Sequence, residues 1–374
     1  MRIVQMLPTM SFGDAVSNDP AAIRNMILGM GYETEIYASN IDRRLPAGLV
    51  KNPKEMKPLQ DEDILIYHGS TGDPMNRAIP KIGGRKMMRY HNITPPAFFH
   101  GYDAQAELRT EAGYREIRRL CRAFDRCAAD SDYNRQELRK MGYQCPIDVC
   151  PIVIPFGDYD REPDAEVLKT WQGDGWVNLL FVGRIAPNKR QENVIRAFAQ
   201  YHRQYNPKSR LFLVGSASGM EKYLTKLKNY AWDLGLAGRV IFSGQISFAA
   251  ILAYYRLADV FLCMSEHEGF CVPLVEAMYF DTPIVALRSS AVPETLGEAG
   301  LLLDSSDPDI AAAAIDRVMK DEALRERFAR GREKRLAAFR YDRVSAQMQE
   351  CIGKLIRDSE FRMMESEIPP LRSG

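Results

Sequence analysis

The chain has 374 residues, 46% hydrophobic and 26% charged, the composition of an ordinary soluble globular protein and too much chain for one typical domain. Its formal net charge of +1 gives no electrostatic case for nucleic acid. Seven cysteines, at 121, 127, 145, 150, 263, 271 and 351, include no C-x-x-C pair, which argues against a structural zinc site and for a reducing compartment.

The start, "MRIVQMLPTMSFGDA", has too short an apolar run for a signal peptide, and no run of about 18 apolar residues follows, so a cytoplasmic protein is expected. In the first half, short apolar runs alternate with helical patterns: "RIVQMLP", "ETEIYAS", "DILIYHG", "KMMRYHNI", "CAADS" and "DVCPIVIPF". That alternation predicts a parallel sheet with crossover helices. Residues 112–126, "AGYREIRRLCRAFDR", read as one helix with five arginines and a face of Ile117, Leu120, Cys121 and Phe124. A basic amphipathic helix suits a membrane surface or a lipid diphosphate, although packing on its own sheet is the commoner use.

The pattern breaks in "GDYDREPDAEVLKTWQGDGW", polar and rich in Gly, Asp and Pro, which sets a boundary between a first domain, 1–158, and a second, 159–345. A second strand series follows: "VNLLFVGRI", "RLFLVGSA", "RVIFSGQI", "DVFLCMS", "PIVALRS" and "GLLLD". Two Rossmann-like halves result. Residues 310 to about 359 read as helical, and "ESEIPPLRSG" as a loose tail.

Candidate chemistry gathers where strands end. "FVGRIAPNKR" places Arg184 and Lys189 five residues apart after a strand, with Gly183 relieving the turn. Two cations there suit a diphosphate, or are simply exposed. "VGSASGM", 214–220, is a second small-residue loop opening a helix. The absence of G-x-G-x-x-G from the sequence counts against a nicotinamide or flavin enzyme.

"SEHEGFCVPLVEAM", 265–278, holds Glu268 and Glu276 where a strand ends and a helix begins at Pro273. The helix N-terminus attracts anions, and Gly269 lets backbone approach a ligand. Carboxylates beside a diphosphate would repel it, so they aim elsewhere. A ligand with a diphosphate and two sets of hydroxyls is a nucleotide sugar. Glu268 on the loop and Glu276 in the first helical turn would each take one set. The plainer alternative is a solvated helix face.

These residues resemble a known family. "EGFCVPLVEAM" is similar to the E-x7-E signature of family 4 retaining glycosyltransferases, "VGRIAPNKR" to their G-R-x-x-x-x-K element, and "AVPETLGEAGLLLD" to the segment after the signature. "YHNITPP", "ADSDYNRQEL" and "IPFGD" extend the likeness into the first half. The resemblance implies a GT-B fold: α/β, two Rossmann-like domains with parallel sheets facing across a cleft, and a C-terminal helix and tail, 346–374, packing back on the first domain. It implies that Arg184 and Lys189 bind the diphosphate, Glu276 the ribose, and Glu268, with the backbone of Phe270 and Cys271, the transferred sugar, which His91 faces. His91, Glu268, Arg184 and Lys189 would be catalytic; Gly13, Ser131, Gly183, Gly215, Gln245, Gly269 and Val272 would complete the donor site. The family's G-G in the first loop is here Gly13-Asp14.

Without the resemblance, His91 reads as a hydrogen-bonded structural histidine, and His267 has no second histidine at ligand spacing. Of four D-x-D strings only 130–132 lies at a strand's carboxyl end, and its Ser131 matches the family serine, so no metal and no cofactor are expected. The expected activity moves a hexose from GDP-mannose or a UDP-hexose to a glycan or lipid-linked acceptor in surface polysaccharide synthesis. Peripheral contact with the inner membrane face is compatible with this, and no nucleic acid partner is expected. A nucleotide-sugar epimerase, a glycan phosphorylase (though no pyridoxal lysine is marked) and a non-catalytic sugar-nucleotide binder are the alternatives.

Overall fold

The computed structural model describes residues 1–11 and 15–367, without the side chains of 15–17 and 358–367. The chain divides into two compact units. Unit 1 comprises Met1–Ile93, Arg109–Val153 and the chain from Tyr341; unit 2 comprises Thr94–Leu108 and Ile154–Arg340. The divisions therefore fall at 153/154 and 340/341, five residues before the sequence boundaries of 158/159 and 345/346, and a segment from the first half joins unit 2.

Unit 1 begins with β1 (Ile3–Met10), α1 (Ala15–Gly29), β2 (Ile36–Ile41), β3 (Val50–Lys51), β4 (Ile64–Gly69), α2 (Met75–Ala78) and β5 (Arg85–Tyr90). It resumes, from Arg109 onward, within α3 (Ala104–Arg119) and continues with β6 (Arg126–Ala129), α4 (Asp132–Lys140) and β7 (Ile147–Val149). Its seven strands lie in the order β3-β2-β1-β4-β5-β6-β7, all parallel. Strand β4, Ile-Leu-Ile-Tyr-His-Gly, is buried at every residue, because a parallel sheet is covered on both faces and its central strands need no polar side.

Unit 2 runs α5 (Ala165–Trp171), β8 (Val177–Val182), α6 (Gln191–Gln204), β9 (Ser209–Val214), α7 (Glu221–Asp233), β10 (Val240–Gly244), α8 (Phe248–Leu257) and β11 (Val260–Cys263). It continues with α9 (Val272–Tyr279), β12 (Ile284–Leu287), α10 (Val292–Leu296), β13 (Leu301–Leu303), α11 (Pro308–Lys320) and α12 (Glu322–Ala338). Its six parallel strands take the order β10-β9-β8-β11-β12-β13. Side-chain caps start several helices: Asp164 on α5, Ser247 on α8, Asp307 on α11 and Asp321 on α12.

Helix α13 (Tyr341–Glu367) belongs to unit 1. Val344, Met348, Cys351, Ile352 and Leu355 repeat at three and four residues and bury against Ile3, Ile23, Ile27, Ile64 and Met87. The helix takes in Glu365–Glu367, the first residues of the expected loose tail.

Two expectations need correction. The arginine-rich helix ends at Arg119: Leu120 and Phe124 leave it for the core, and Arg126 lies in β6, paired with Asp148 at 2.6 Å. "DVCPIVIPF" forms strand only at 148–149, the end of β7, since prolines 151 and 155 cannot donate to a ladder. Among the described residues no helix is long and apolar enough to cross a membrane.

Candidate active site

In an open α/β sheet, ligands bind beyond the carboxyl ends of the strands where the strand order reverses. In unit 2 that point lies between β8 and β11, which are hydrogen-bonded neighbours (Leu179 beside Val260) although some 80 residues separate them in sequence. The loops leaving these two strands therefore meet. They are the arginine-lysine loop and the two-glutamate loop.

The first loop is set by glycine. Gly183 and Gly215 have φ of +150° and +149°, and a Cβ at Gly215 would come 2.0 Å from the Gly183 carbonyl oxygen. Gly215 is thus needed for the loops after β8 and β9 to lie against each other, with the Ile185 N–H donating to the Ser216 carbonyl at 2.9 Å. Arg184 is exposed, and among the described residues its guanidinium has no ion-pair partner. The buried Asn188 ties the loops together. Its Nδ2 donates to the His267 carbonyl at 3.0 Å, and its own carbonyl accepts the Glu266 N–H at 2.9 Å.

Lys189 Nζ donates to both Oε1 and Oε2 of Glu268 at 2.6 Å. Glu268 is 7% exposed, and its backbone is fixed by Ser290 Oγ, which accepts its N–H at 2.7 Å. Burial opposes the charge on Lys189, but the carboxylate beside it prevails and raises the lysine's pKa. Sequence reasoning brings these residues to one site. It does not anticipate that they bind each other.

Past Glu268, Gly269 is partly exposed, Phe270 packs on Phe339, and Cys271 takes φ +74° at the head of α9. The helix starts at Val272, so Glu276 is its fifth residue and stands on the second turn, not the first. Tyr255 Oη donates to Glu276 Oε2 at 2.7 Å and Tyr159 Oη to Oε1 at 3.2 Å. Burial raises the Glu276 carboxyl, the two hydroxyls pulling the other way. Gln245 follows the edge strand β10 and is exposed, away from the reversal point.

In unit 1, His91 follows β5 with its side chain fully buried. Gln5 donates Nε2 to the Pro20 carbonyl at 2.9 Å, leaving its oxygen to accept from His68 Nε2 at 3.0 Å. His68, whose pKa burial pushes well down, then accepts at Nδ1 from His91 Nε2 at 2.9 Å. His91 Nδ1 meets Asp130 Oδ2 at 3.0 Å. Both ring nitrogens are engaged, so the ring of His91, expected to face the sugar, could bond a ligand only by giving up a partner. Arg89, fully buried, bridges Asp19 at 2.8 Å and Asp130 at 3.0 Å beneath it. The Ser131 hydroxyl, expected on the donor, caps α4 by accepting the Asn134 N–H at 3.2 Å. Gly13 lies outside the described residues.

Sequence reasoning missed Asn188, Tyr159, Tyr255, His68 and Asp19. A histidine closing the strand run "DILIYHG" next to another closing "KMMRYHNI" was the one signal available for His68.

Residues 174–335 match the family described as glycosyl transferases group 1. A D-inositol 3-phosphate glycosyltransferase from Acidothermus cellulolyticus is 35% identical over 175 residues, 45% of this chain and 39% of the relative. A GDP-mannose-dependent alpha-(1-6)-phosphatidylinositol monomannoside mannosyltransferase from Mycolicibacterium smegmatis is 28% identical over 218 residues, 55% of this chain and 56% of the relative. The chain thus matches less than two thirds of either. The structure of Anabaena HepE in complex with UDP-glucose superposes with a TM-score of 0.73 at 18% identity, covering 95% of this chain and 100% of that one. The fold is GT-B. In this GT-B chain the matched family region contains both loops of the reversal point, Lys189 and Glu268 included.

Proposed function

We propose that the protein is a retaining glycosyltransferase that moves a hexose from a nucleoside diphosphate sugar, GDP-mannose or a UDP-hexose, to a glycan or lipid-linked saccharide acceptor in surface polysaccharide synthesis, without a metal. The observation that carries this reading is the Lys189–Glu268 pair at the reversal point, with the exposed Arg184 on the same loop.

A nucleotide sugar offers a partner to each member of that pair. The diphosphate takes Lys189 and Arg184, and the hexose hydroxyls take Glu268. An ionised carboxylate accepts about four hydrogen bonds. Glu276, holding one tyrosine hydroxyl on each oxygen, therefore retains room for the ribose hydroxyls, and Tyr159 and Tyr255 orient it. As the sugar leaves, charge grows on the diphosphate; Arg184, Lys189 and the N-terminus of α9 stabilise it. The diphosphate oxygen then helps take the proton of the attacking hydroxyl on the same face, which gives retention. With cations already supplied by the chain, no metal is needed for that charge.

The reading draws support from the group 1 family match and from relatives named for glycosyl and mannosyl transfer. Its test is release of nucleoside diphosphate from GDP-mannose, UDP-glucose and other UDP-hexoses, with and without saccharide and lipid-linked acceptors. Acceptor-dependent release with a glycosylated product supports transfer; a changed hexose still on its nucleotide would mean epimerisation.

A further inference from the structure

We propose that Cys263, Cys271 and Glu268 form a binding site for a soft divalent cation such as Zn²⁺ or Cd²⁺. Cys263 closes β11 and Cys271 heads α9, so the turn that bears Glu268 folds one thiol back over the other. Their sulfurs are 4.0 Å apart. A tetrahedral ion with Zn–S of about 2.3 Å holds two sulfurs about 3.8 Å apart, so the pair already has nearly the required bite. A carboxylate oxygen of Glu268 completes the set, with all three ligand atoms within 4.8 Å of one another and all three residues buried. Two thiolates and one carboxylate leave a fourth position open, as in a zinc site that exchanges a ligand.

The backbone adds a second, independent observation. Cys271 has φ +74° and ψ 66°, a left-handed conformation that a glycine holds freely and a side chain holds under strain. That conformation places the second thiol, in a side chain that also packs in the core. Binding is written as M²⁺ plus two thiols and one carboxylate giving the complex and two protons. Lys189, which holds Glu268 in the ion-free chain, must let go; its side chain is 21% exposed and can turn to water.

The binding claim stands without the glycosyltransferase reading. Where that reading also holds, an ion here takes the carboxylate assigned to the hexose, so the metal is an inhibitor rather than a cofactor.

The test uses the full chain, reduced and metal-free, titrated with Cd²⁺ while the thiolate-to-cadmium charge-transfer absorbance is followed. Cys127 and Cys145, with sulfurs 3.6 Å apart, are an internal control pair, and the titration is run in a Cys127→Ala/Cys145→Ala background as well. The expected result is one tight equivalent in both backgrounds, lost or weakened about 100-fold or more in Cys271→Gly and about tenfold in Glu268→Gln. Cys271→Gly relieves backbone strain but removes a side chain from the core, so circular dichroism must show it folded before its titration is read, and Glu268→Gln tests the site independently. An unchanged tight equivalent in Cys271→Gly would overturn the site. So would reduced protein that takes up no Cd²⁺ while air-exposed protein yields a Cys263–Cys271 disulfide by peptide mapping, since the pair would then be a redox couple. Tight Cd²⁺ and Zn²⁺ binding with undiminished hexose transfer would leave the metal site in place and remove Glu268 from the sugar.

Discussion

Lys189 Nζ and the Glu268 carboxylate bind each other at 2.6 Å through both oxygens, in a site where a nucleotide sugar would separate them. The pair links two loops brought together by the strand order of unit 2, and it changes what each residue should do when mutated.

Glu268→Gln should strengthen binding of free nucleoside diphosphate. In the wild type a diphosphate that takes Lys189 leaves a buried carboxylate without its partner, whereas the amide leaves no such charge. The gain should be about three- to tenfold, about 1 kcal/mol. Intact donor should gain less, and turnover should fall. Calorimetric titration with diphosphate and donor measures both; weaker diphosphate binding in Glu268→Gln would contradict the coupling.

Arg184→Ala and Lys189→Ala should differ in stability though both weaken the diphosphate. Each removes a charge-assisted contact worth about 1.5 to 3 kcal/mol. Arg184 is exposed, so its loss should leave the thermal midpoint unchanged. Lys189→Ala strands Glu268 at 7% exposure and should destabilise the fold by about 3 kcal/mol. Equal midpoints for the two variants would count against the pair as a structural contact.

Tyr255→Phe should move the acid limb of nucleotide binding to higher pH. Burial raises the Glu276 carboxyl above its ordinary 4.5, and the Tyr255 hydroxyl, donating at 2.7 Å, works against that rise. Removing it lets the pKa climb further, so the carboxylate proposed to accept ribose hydroxyls is lost at a higher pH. Because the folded pKa is raised, the folded chain binds the extra proton and stability from this group falls as pH rises from 4.5 through the folded value. Diphosphate affinity measured from pH 5 to 8 should show the shift; superimposable profiles would remove Glu276 from the ribose.

Asp19→Asn should flatten the acid unfolding of unit 1. Burial works to raise the Asp19 carboxyl, but Arg89 and His91 beside it overcome this and hold it at about 2. A depressed folded pKa stabilises above the unfolded value of 3.8 and is lost as pH falls toward 2, a contribution of about 2 kcal/mol at neutral pH. The variant should be less stable at pH 7 and less pH-dependent between pH 4 and 2 in denaturant titrations.

The sequence carried the fold well because strands buried on both faces announce themselves as unbroken apolar runs; among the described residues twelve of the thirteen strands fall in runs read from sequence over most of their length, and β3 not at all. β3 is two residues at the sheet edge, too short for a pattern. The two loops of the site were legible because glycine, arginine, lysine and glutamate sit directly after strands. The Lys189–Glu268 bond was not, because it depends on the reversal of strand order, which no local window contains. The same holds for His91: its partners His68 and Asp130, and Gln5 behind His68, come from the ends of β4, β6 and β1 or within them, and only the sheet brings them together. Loop signals placed Ser131 correctly at a strand end, yet the Ser-x-x-Asn spacing also reads as a helix cap, and that is the use the chain makes of it.

The account rests on transfer at the Lys189–Glu268 site, and the most direct measurement is acceptor-dependent hexose transfer followed by nuclear magnetic resonance, with wild type, Lys189→Ala and Glu268→Gln compared in EDTA. The expected result is a product that keeps the donor's anomeric configuration, formed by wild type without added metal and reduced about 100-fold or more in both variants while circular dichroism shows them folded. Undiminished transfer by both variants, or donor consumed with its nucleotide still attached to an altered hexose, would contradict it.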